Sequence, residues 1–167
     1  MTIETIDKNI FLLLGDDRRE TGRITYSLND YSRAEIITAE TSLLAADGTG
    51  TWRTTFRSGG KEKTLALTRI KAGSLISITL ECRKKRYSFA RSTGWKLRFI
   101  LLNREGEEIL SILPAISWEK ESHNYILQLN EEFEGECDPF LILQAVHCAN
   151  LSMSMLNGGK VPALISI

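Results

Sequence analysis

The chain has 167 residues, of which 43% are hydrophobic and 25% are charged, and its formal net charge is +0. These values lie close to the averages of soluble globular domains, so they argue against a disordered chain and a membrane-embedded one. The length fits one domain spanning residues 1–167, and no Pro-, Ser- or Gly-rich linker divides it.

The zero net charge conceals a segregation of charge along the sequence. Residues 51–104 contain 14 Lys/Arg and 2 Asp/Glu, whereas residues 105–138 contain 1 and 10. One interpretation is a cationic surface that meets phosphate groups. The alternative is that basic strands pair with acidic neighbours within the fold. The sequence leaves both interpretations open.

Turn signals recur at the spacing of consecutive strands in an all-β domain. They are Gly15-Asp16, Asn29-Asp30, Asp47-Gly48, Gly59-Gly60, Ala72-Gly73, Thr93-Gly94 and Glu105-Gly106. So many strands would present exposed edges unless the sheet closes on itself. We therefore expect a mainly β chain that forms a closed or nearly closed barrel.

Between the turns, apolar residues alternate with polar ones, a period of two that is typical of half-buried strands. The sets expected on one face are Trp52, Thr54 and Phe56; Ile76, Ile78 and Leu80; Trp95, Leu97, Phe99 and Leu101; and Tyr125, Leu127 and Leu129. In the third strand the cations Lys96 and Arg98 are expected to point outward.

A basic run with interleaved aromatic residues lies close to a predicted hairpin. The residues proposed to bind an anionic head group are Arg83, Lys84, Lys85, Arg86, Arg91, Lys96 and Arg98. A cation near an anionic surface contributes about 1 kcal/mol, so four cations alone give only about millimolar affinity. The alternative interpretation is a solvated hairpin tip.

A helix with no ionised side chain is predicted at about 139–156, followed by a short tail at 157–167. Asp138 can cap its first amide groups, and Pro139 suits the first helical position. Asn157-Gly158-Gly159 supplies a stop signal.

The predicted helix is slightly shorter than the roughly 20 apolar residues of a membrane span. It also carries a polar stripe of Gln144, His147 and Asn150. We expect a helix that is buried by protein on nearly all sides, with this stripe hydrogen-bonded to the strands, and no transmembrane span.

The end of the chain resembles the superfamily that joins tubby carboxy-terminal domains, plant LURP-one-related proteins and phospholipid scramblases. The resemblance rests on Ile109-Leu110-Ser111-Ile112, Ile116-Ser117-Trp118, Tyr125-Ile126-Leu127, an acidic loop, and Asp138-Pro139-Phe140-Leu141-Ile142-Leu143. It implies a closed antiparallel β-barrel of about twelve strands with the C-terminal hydrophobic helix buried in the barrel. Tubby domains bind phosphoinositides, but their lipid-binding residues have no aligned counterparts in this chain.

No catalytic signature is present, and no enzyme activity, metal or cofactor is expected. Gly59-Gly60-Lys61 and Gly158-Gly159-Lys160 lack the earlier glycine of a phosphate loop, and no Gly-x-Ser-x-Gly occurs. His147 is expected to be a hydrogen-bonded core residue, and Cys137 and Cys148 lack the spacing of a metal site.

The three cysteines, which include Cys82, are an odd number, and this favours a reducing compartment. The segment Met1-Thr2-Ile3-Glu4-Thr5 has no cationic region of the kind that begins a secretory signal. The expected localisation is cytoplasmic, with peripheral association at a membrane if the basic run binds lipid.

Two function hypotheses follow. The first is a non-enzymatic binding module for anionic phospholipid or phosphoinositide head groups; the alternative is a protein-interaction or structural module with no lipid ligand. In the second case the basic and acidic segments face each other or a protein partner. Nucleic acid is not expected as a partner, since no recognition helix or RNA-binding signature accompanies the cations.

Overall fold

A computed structural model defines the fold and describes residues 1–7, 9–27, 30–39, 44–48, 53–58, 64–71, 77–92, 95–117 and 122–156. Within these residues the chain forms twelve strands, then two short 3-10 turns, then one helix. The strands are β1 (Thr2–Asp7), β2 (Ile10–Leu14), β3 (Glu20–Ser27), β4 (Asp30–Thr38), β5 (Leu44–Gly48), β6 (Arg53–Ser58), β7 (Thr64–Lys71), β8 (Ser77–Cys82), β9 (Lys85–Arg91), β10 (Phe99–Leu102), β11 (Glu108–Ser117) and β12 (Ser122–Leu129). The 3-10 turns span Glu131–Glu136, and the helix α1 spans Pro139–Leu156.

Several predictions fall outside the described residues. They concern Asn29, Trp52, Gly59-Gly60-Lys61, Ala72-Gly73, Ile76, Thr93-Gly94, Trp118, the stop signal at Asn157-Gly158-Gly159 and the tail at 157–167. For Thr54, Phe56 and Ile78 the structure describes only the backbone, so the predictions about which face their side chains occupy also lie outside the described part.

The strands form one antiparallel sheet in which each strand pairs with the next along the chain. β1 also pairs with β12, through Thr2 opposite Ile126 and Ile3 opposite Tyr125. Among the described residues, two register pairs define this contact, as is also the case between β4 and β5. The predicted mainly β class with a C-terminal helix is confirmed for the described part of the chain.

The burial of the strands follows the alternation that a pleated strand dictates. In β9, Tyr87 and Phe89 are buried whereas Arg86 and Ser88 are exposed. The ring centroids of Phe89 and of Phe99 on the neighbouring β10 lie 5.5 Å apart. One face of the sheet therefore builds the core and the other carries the charges.

Two sequence predictions about the strands are wrong. The turn expected at Asp47-Gly48 belongs to β5, where Asp47 pairs with Thr55 of β6, so cross-strand pairing overrides the local turn preference of these residues. Trp95 was expected to point inward with Phe99, but it is exposed, and β10 begins only at Phe99.

Helix α1 begins at Pro139, as predicted, and the amide of Leu141 donates to Asp138 Oδ1 at 2.8 Å. This hydrogen bond satisfies one of the free amide groups at the start of a helix. Every residue from 140 to 150 is buried. The prediction of a helix covered by protein on nearly all sides is confirmed, since no face of this stretch reaches solvent.

Two residues of the polar stripe of α1, His147 and Asn150, are hydrogen-bonded to strand tyrosines. The hydroxyl of Tyr125 donates to Asn150 Oδ1 at 2.6 Å, and Asn150 Nδ2 donates to the hydroxyl oxygen of Tyr26 at 3.0 Å. The hydroxyl of Tyr26 lies 3.2 Å from His147 Nδ1, so its hydrogen can be donated to a neutral imidazole. The prediction that His147 is a hydrogen-bonded core residue is confirmed.

The helix packs against β3, β4 and β11. Its first turns contact Gly22 near the start of β3, and Asn150 contacts Tyr26 near the end of the same strand. Within the part of the chain that the structure describes, no helix combines the length and the apolar character needed to cross a bilayer.

Candidate anion-binding surface

Strands β6 to β10 bring most of the cations of the chain together. The described residues of these strands and their connections, 53–58, 64–71, 77–92 and 95–102, are called the basic sector below. They contain eleven cations and one acid, Glu81. The cations are Arg53, Arg57, Arg69, Lys71, Arg83, Lys84, Lys85, Arg86, Arg91, Lys96 and Arg98. Because these strands are neighbours in the sheet, the segregation of charge along the sequence becomes a segregation in space.

The structure divides the seven predicted binding residues into two groups at opposite ends of β9. Residues 83–86 lie where α1 begins, and this side of the sheet is called the entry end. Arg91, Lys96 and Arg98 lie at the other side, called the exit end, toward which α1 runs. A strand of this length spans about 20 Å, so the seven side chains do not form one site.

The tip of the β8–β9 hairpin is made by Arg83 and Lys84, between Cys82 and Lys85, which lie opposite each other. Both tip residues have positive φ, 48° and 72°, the combination that defines a type I′ turn. This conformation is unfavourable for residues with a Cβ. The tip of this hairpin is therefore locally strained.

The basic groups at the entry end face acids. Arg83 Nη1 lies 3.0 Å from Oδ2 of Asp138, the residue that caps α1, and Lys85 Nζ lies 3.7 Å from Glu136 Oε1. Arg86 lies directly opposite Glu81 in the register of β8 and β9. Three of the four basic residues at this end therefore lie beside acids of the same chain.

A surface groove of about 560 Å³ lies at the entry end, between the hairpin tip and the β10–β11 turn. It is lined by Lys84, Lys85, Arg86, Tyr87, Asn103, Arg104, Glu105 and Glu136. Arg104 was not among the predicted binding residues, because its approach to the hairpin tip depends on the pairing of separate strands. The two glutamates give the groove a mixed charge.

The exit end differs, because two of its three predicted cations have no acidic partner among the described residues. Arg98 donates through Nε to Ser111 Oγ at 3.2 Å and forms an ion pair with Glu108. Arg91 and Lys96 are exposed. Within the described residues, neither side chain forms an ion pair.

Trp95 lies between these cations, in the segment that connects β9 to β10. Its relative exposure is 107%, the largest of any described hydrophobic side chain. The base of the segment is held by a hydrogen bond from the amide of Ser92 to the carbonyl of Arg98 at 2.8 Å, and Leu97 packs against the core. The loop is therefore anchored while its indole projects into solvent.

Sequence reasoning missed this exposure because Trp95 continues the alternation of Leu97 and Phe99. The opposing signal was the Thr93-Gly94 pair, which predicts a turn immediately before it. The pairing of Arg91 with Phe99 explains the position of Trp95, because β10 begins only at Phe99 and Trp95 precedes the strand.

Four buried titratable groups among the described residues have pKa values that are shifted far from neutral pH. Burial, with a smaller contribution from Asp138, raises the pKa of the Cys82 thiol to about 12, and burial with Glu136 and Asp138 does the same for Cys137. Burial, followed by the nearby thiols and carboxylates, raises the pKa of Tyr87 to about 12, and burial alone lowers the pKa of His147 to about 3.

At neutral pH these groups are uncharged and poorly suited to exchange protons with a substrate. Among the described residues, no group of three His, Cys, Asp or Glu side chains is placed to hold a metal ion.

No protein-family model matches the chain, and neither a curated protein nor a solved structure shows significant similarity to it.

Proposed function

We propose that this protein is a non-enzymatic module that binds anionic phospholipid surfaces through the basic sector. The observation that carries the proposal is the exit end, where Arg91 and Lys96 are exposed and no described acid neutralises them. An anionic bilayer supplies the phosphate and carboxylate groups that would complement such cations. The residues 83–86, although part of the predicted set, contribute less because acids already face Arg83, Lys85 and Arg86.

The expected affinity follows from the number of available cations. Each cation near an anionic leaflet contributes about 1 kcal/mol, so Arg91 and Lys96 together contribute about 2 kcal/mol. Other members of the basic sector add to this through the longer-range field, which is screened within about 10 Å at 0.1 M salt. Binding is therefore expected at millimolar lipid and should weaken as salt is raised.

The experiment is co-sedimentation with vesicles of neutral phosphatidylcholine alone or mixed with phosphatidylserine or phosphoinositide, at low and high salt. The proposal predicts binding to both anionic compositions and none to the neutral vesicles. Stronger binding to phosphoinositide than to phosphatidylserine at equal charge would identify head-group selectivity. Absence of binding to every anionic vesicle would contradict the proposal.

Three double variants locate the surface. Arg91→Ser with Lys96→Ser removes the exit-end cations and should weaken binding about 30-fold. Lys84→Ser with Arg86→Ser removes the same charge from the entry end and should weaken it less. Arg18→Ser with Arg19→Ser is the matched control, because these exposed arginines lie on the β2–β3 turn and pair with Glu4 and Asp17.

The proposed architecture is a closed antiparallel barrel of twelve strands with α1 inside it, of the tubby-like kind. Support comes from the strand order, which runs from β1 to β12 and returns to β1. Complete burial of residues 140–150 also favours a wall on every side of the helix. Membership of the superfamily of tubby and scramblase domains stays a proposal, which rests on the sequence resemblance of the C-terminal part of the chain.

A second candidate is a structural or protein-interaction module with no lipid ligand. The ion pairs of Arg83, Lys85 and Arg98 favour it, because they show basic groups engaged with acids of the same chain. In that case the double variants change the stability of the protein slightly, and neither they nor the wild type binds vesicles at any salt concentration.

A further inference from the structure

The fully exposed indole of Trp95 is not explained by packing. Large aromatic side chains are normally buried or half-buried, and this one projects from a loop that is anchored on both sides, by the Ser92–Arg98 hydrogen bond and by Leu97. These contacts at Ser92, Leu97 and Arg98 hold the residues on both sides of Trp95, so less order is lost when its side chain binds a partner. This arrangement is typical of a side chain that contacts a binding partner.

The surroundings of Trp95 indicate which partner it fits. Arg91, the last residue of β9, and Lys96, on the connection itself, are exposed and are not ion-paired within the described residues. Tryptophan concentrates at the interface between lipid head groups and acyl chains, where its ring is partly apolar and its N–H stays hydrogen-bonded. Long basic side chains reach from that depth to the phosphates.

We propose that Trp95 inserts into the interface of an anionic bilayer while Arg91 and Lys96 bind the head groups around it. The exit end then rests on the membrane, and the entry end, with the groove beside Arg104, faces the solution. This inference rests on the proposed lipid binding and adds to it the inserted residue and the orientation of the fold. The partner is a bilayer surface that contains phosphatidylserine.

The test follows the fluorescence of Trp95 alone. Trp52→Phe and Trp118→Phe remove the other two tryptophans of the chain. Addition of vesicles containing phosphatidylserine should shift the emission to shorter wavelength, protect it from acrylamide and allow quenching by brominated acyl chains. Vesicles of phosphatidylcholine alone should leave the emission unchanged.

A reporter at the opposite end tests the orientation. Arg104→Trp, combined with Trp95→Phe and the two other substitutions, places the only indole on an exposed turn of the entry end. Its emission should stay unchanged when the protein binds the same vesicles. A shift from this reporter equal to that from Trp95 would overturn the proposed orientation.

A single substitution in the otherwise unchanged chain guards against misfolding of the multiple variants. Trp95→Ala should keep the wild-type melting temperature, since the side chain is exposed, and should weaken vesicle binding by about tenfold or more. Ile6→Ala and Ile126→Ala are matched controls, because these side chains are 53% and 48% exposed and lie on other strands; both should bind like the wild type.

The outcomes separate the two proposals. Salt-sensitive binding without any change in Trp95 emission, or wild-type affinity of Trp95→Ala, overturns the insertion and leaves the electrostatic binding standing. Absence of sedimentation with all anionic vesicles overturns both.

Discussion

Gly22 of β3 and Leu143 of α1 approach so closely that a Cβ added to the glycine would lie 2.9 Å from Leu143 Cδ1. The same Cβ would lie 2.9 Å from the backbone carbonyl of Ile37 on β4, which cannot move away as a side-chain end can. The missing side chain at position 22 therefore lets the helix pack closely against the sheet.

Gly22→Ala should lower the free energy of unfolding by about 1–3 kcal/mol, because overpacking forces the helix or the strand to shift. Urea denaturation followed by circular dichroism measures this change. Gly135→Ala is the control, since a Cβ there meets nothing within 4 Å. Equal effects of the two substitutions would show that the contact between β3 and α1 is not tight.

The cap at the start of α1 gives a second prediction. Asp138→Ala removes the acceptor of the Leu141 amide and should cost about 1–2 kcal/mol. Asp138→Asn keeps an acceptor and loses only the ion pair with Arg83, so it should cost less than 1 kcal/mol, as should Arg83→Ala, since exposed ion pairs contribute little. Chemical denaturation of the three variants tests this order; a loss in Asp138→Asn as large as in Asp138→Ala would assign the effect to the ion pair.

The buried His147 should make stability depend on pH. Its pKa is about 3 in the folded chain and about 6.5 in the unfolded chain, so between these values only the unfolded state binds the proton. The neutral, buried imidazole makes its full contribution to the free energy of unfolding above about pH 6.5. This contribution is lost as the pH falls toward 3, and the free energy of unfolding then changes by up to about 1.4 kcal/mol per pH unit.

Denaturation at several pH values from 7 down to 4 measures this slope. His147→Asn retains an acceptor toward Tyr26 but has no titrating ring, so it should remove this part of the slope. Identical slopes in His147→Asn and the wild type would contradict the assignment.

The three thiols, Cys82, Cys137 and Cys148, are free and buried. For the first two, a pKa raised from 9.0 to about 12 lowers the thiolate fraction about 1000-fold. An aromatic disulfide reagent at pH 8 should therefore find no rapidly reacting thiol in the native protein and three after unfolding. Ser88→Cys, at an exposed position of β9, should add one rapid equivalent; a rapid native thiol without this change would contradict the burial.

The helix was predictable because its signals are local. Asp138 and Pro139 adjoin the first turn, and the absence of ionised side chains over the following residues predicts burial without reference to the rest of the chain. The β class was predictable for a similar reason, since alternation over a few residues, as at Tyr87 and Phe89, needs no partner strand.

The grouping of the cations was not predictable, because it depends on strand pairing across the sequence. Arg83 meets Asp138 only when the β8–β9 hairpin reaches the start of α1, and nothing in either sequence neighbourhood encodes that approach. The separation of residues 83–86 from Arg91 likewise follows from the length of β9. Because the seven cations are close in sequence, they were predicted to form one site. The fold places them in two groups at opposite ends of β9.

The burial of α1 against β3, β4 and β11 has a consequence for biosynthesis. All twelve strands leave the ribosome before the residues from 140 to 150 that pack against β3, β4 and β11, and β1 can pair with β12 only after β12 has been made. A nascent chain that ends before Pro139 exposes Phe11, Ile24 and the other inward side chains to water. We therefore expect slow folding dominated by late, non-local contacts, and a need for chaperones to shield the emerging sheet until translation of the helix is complete.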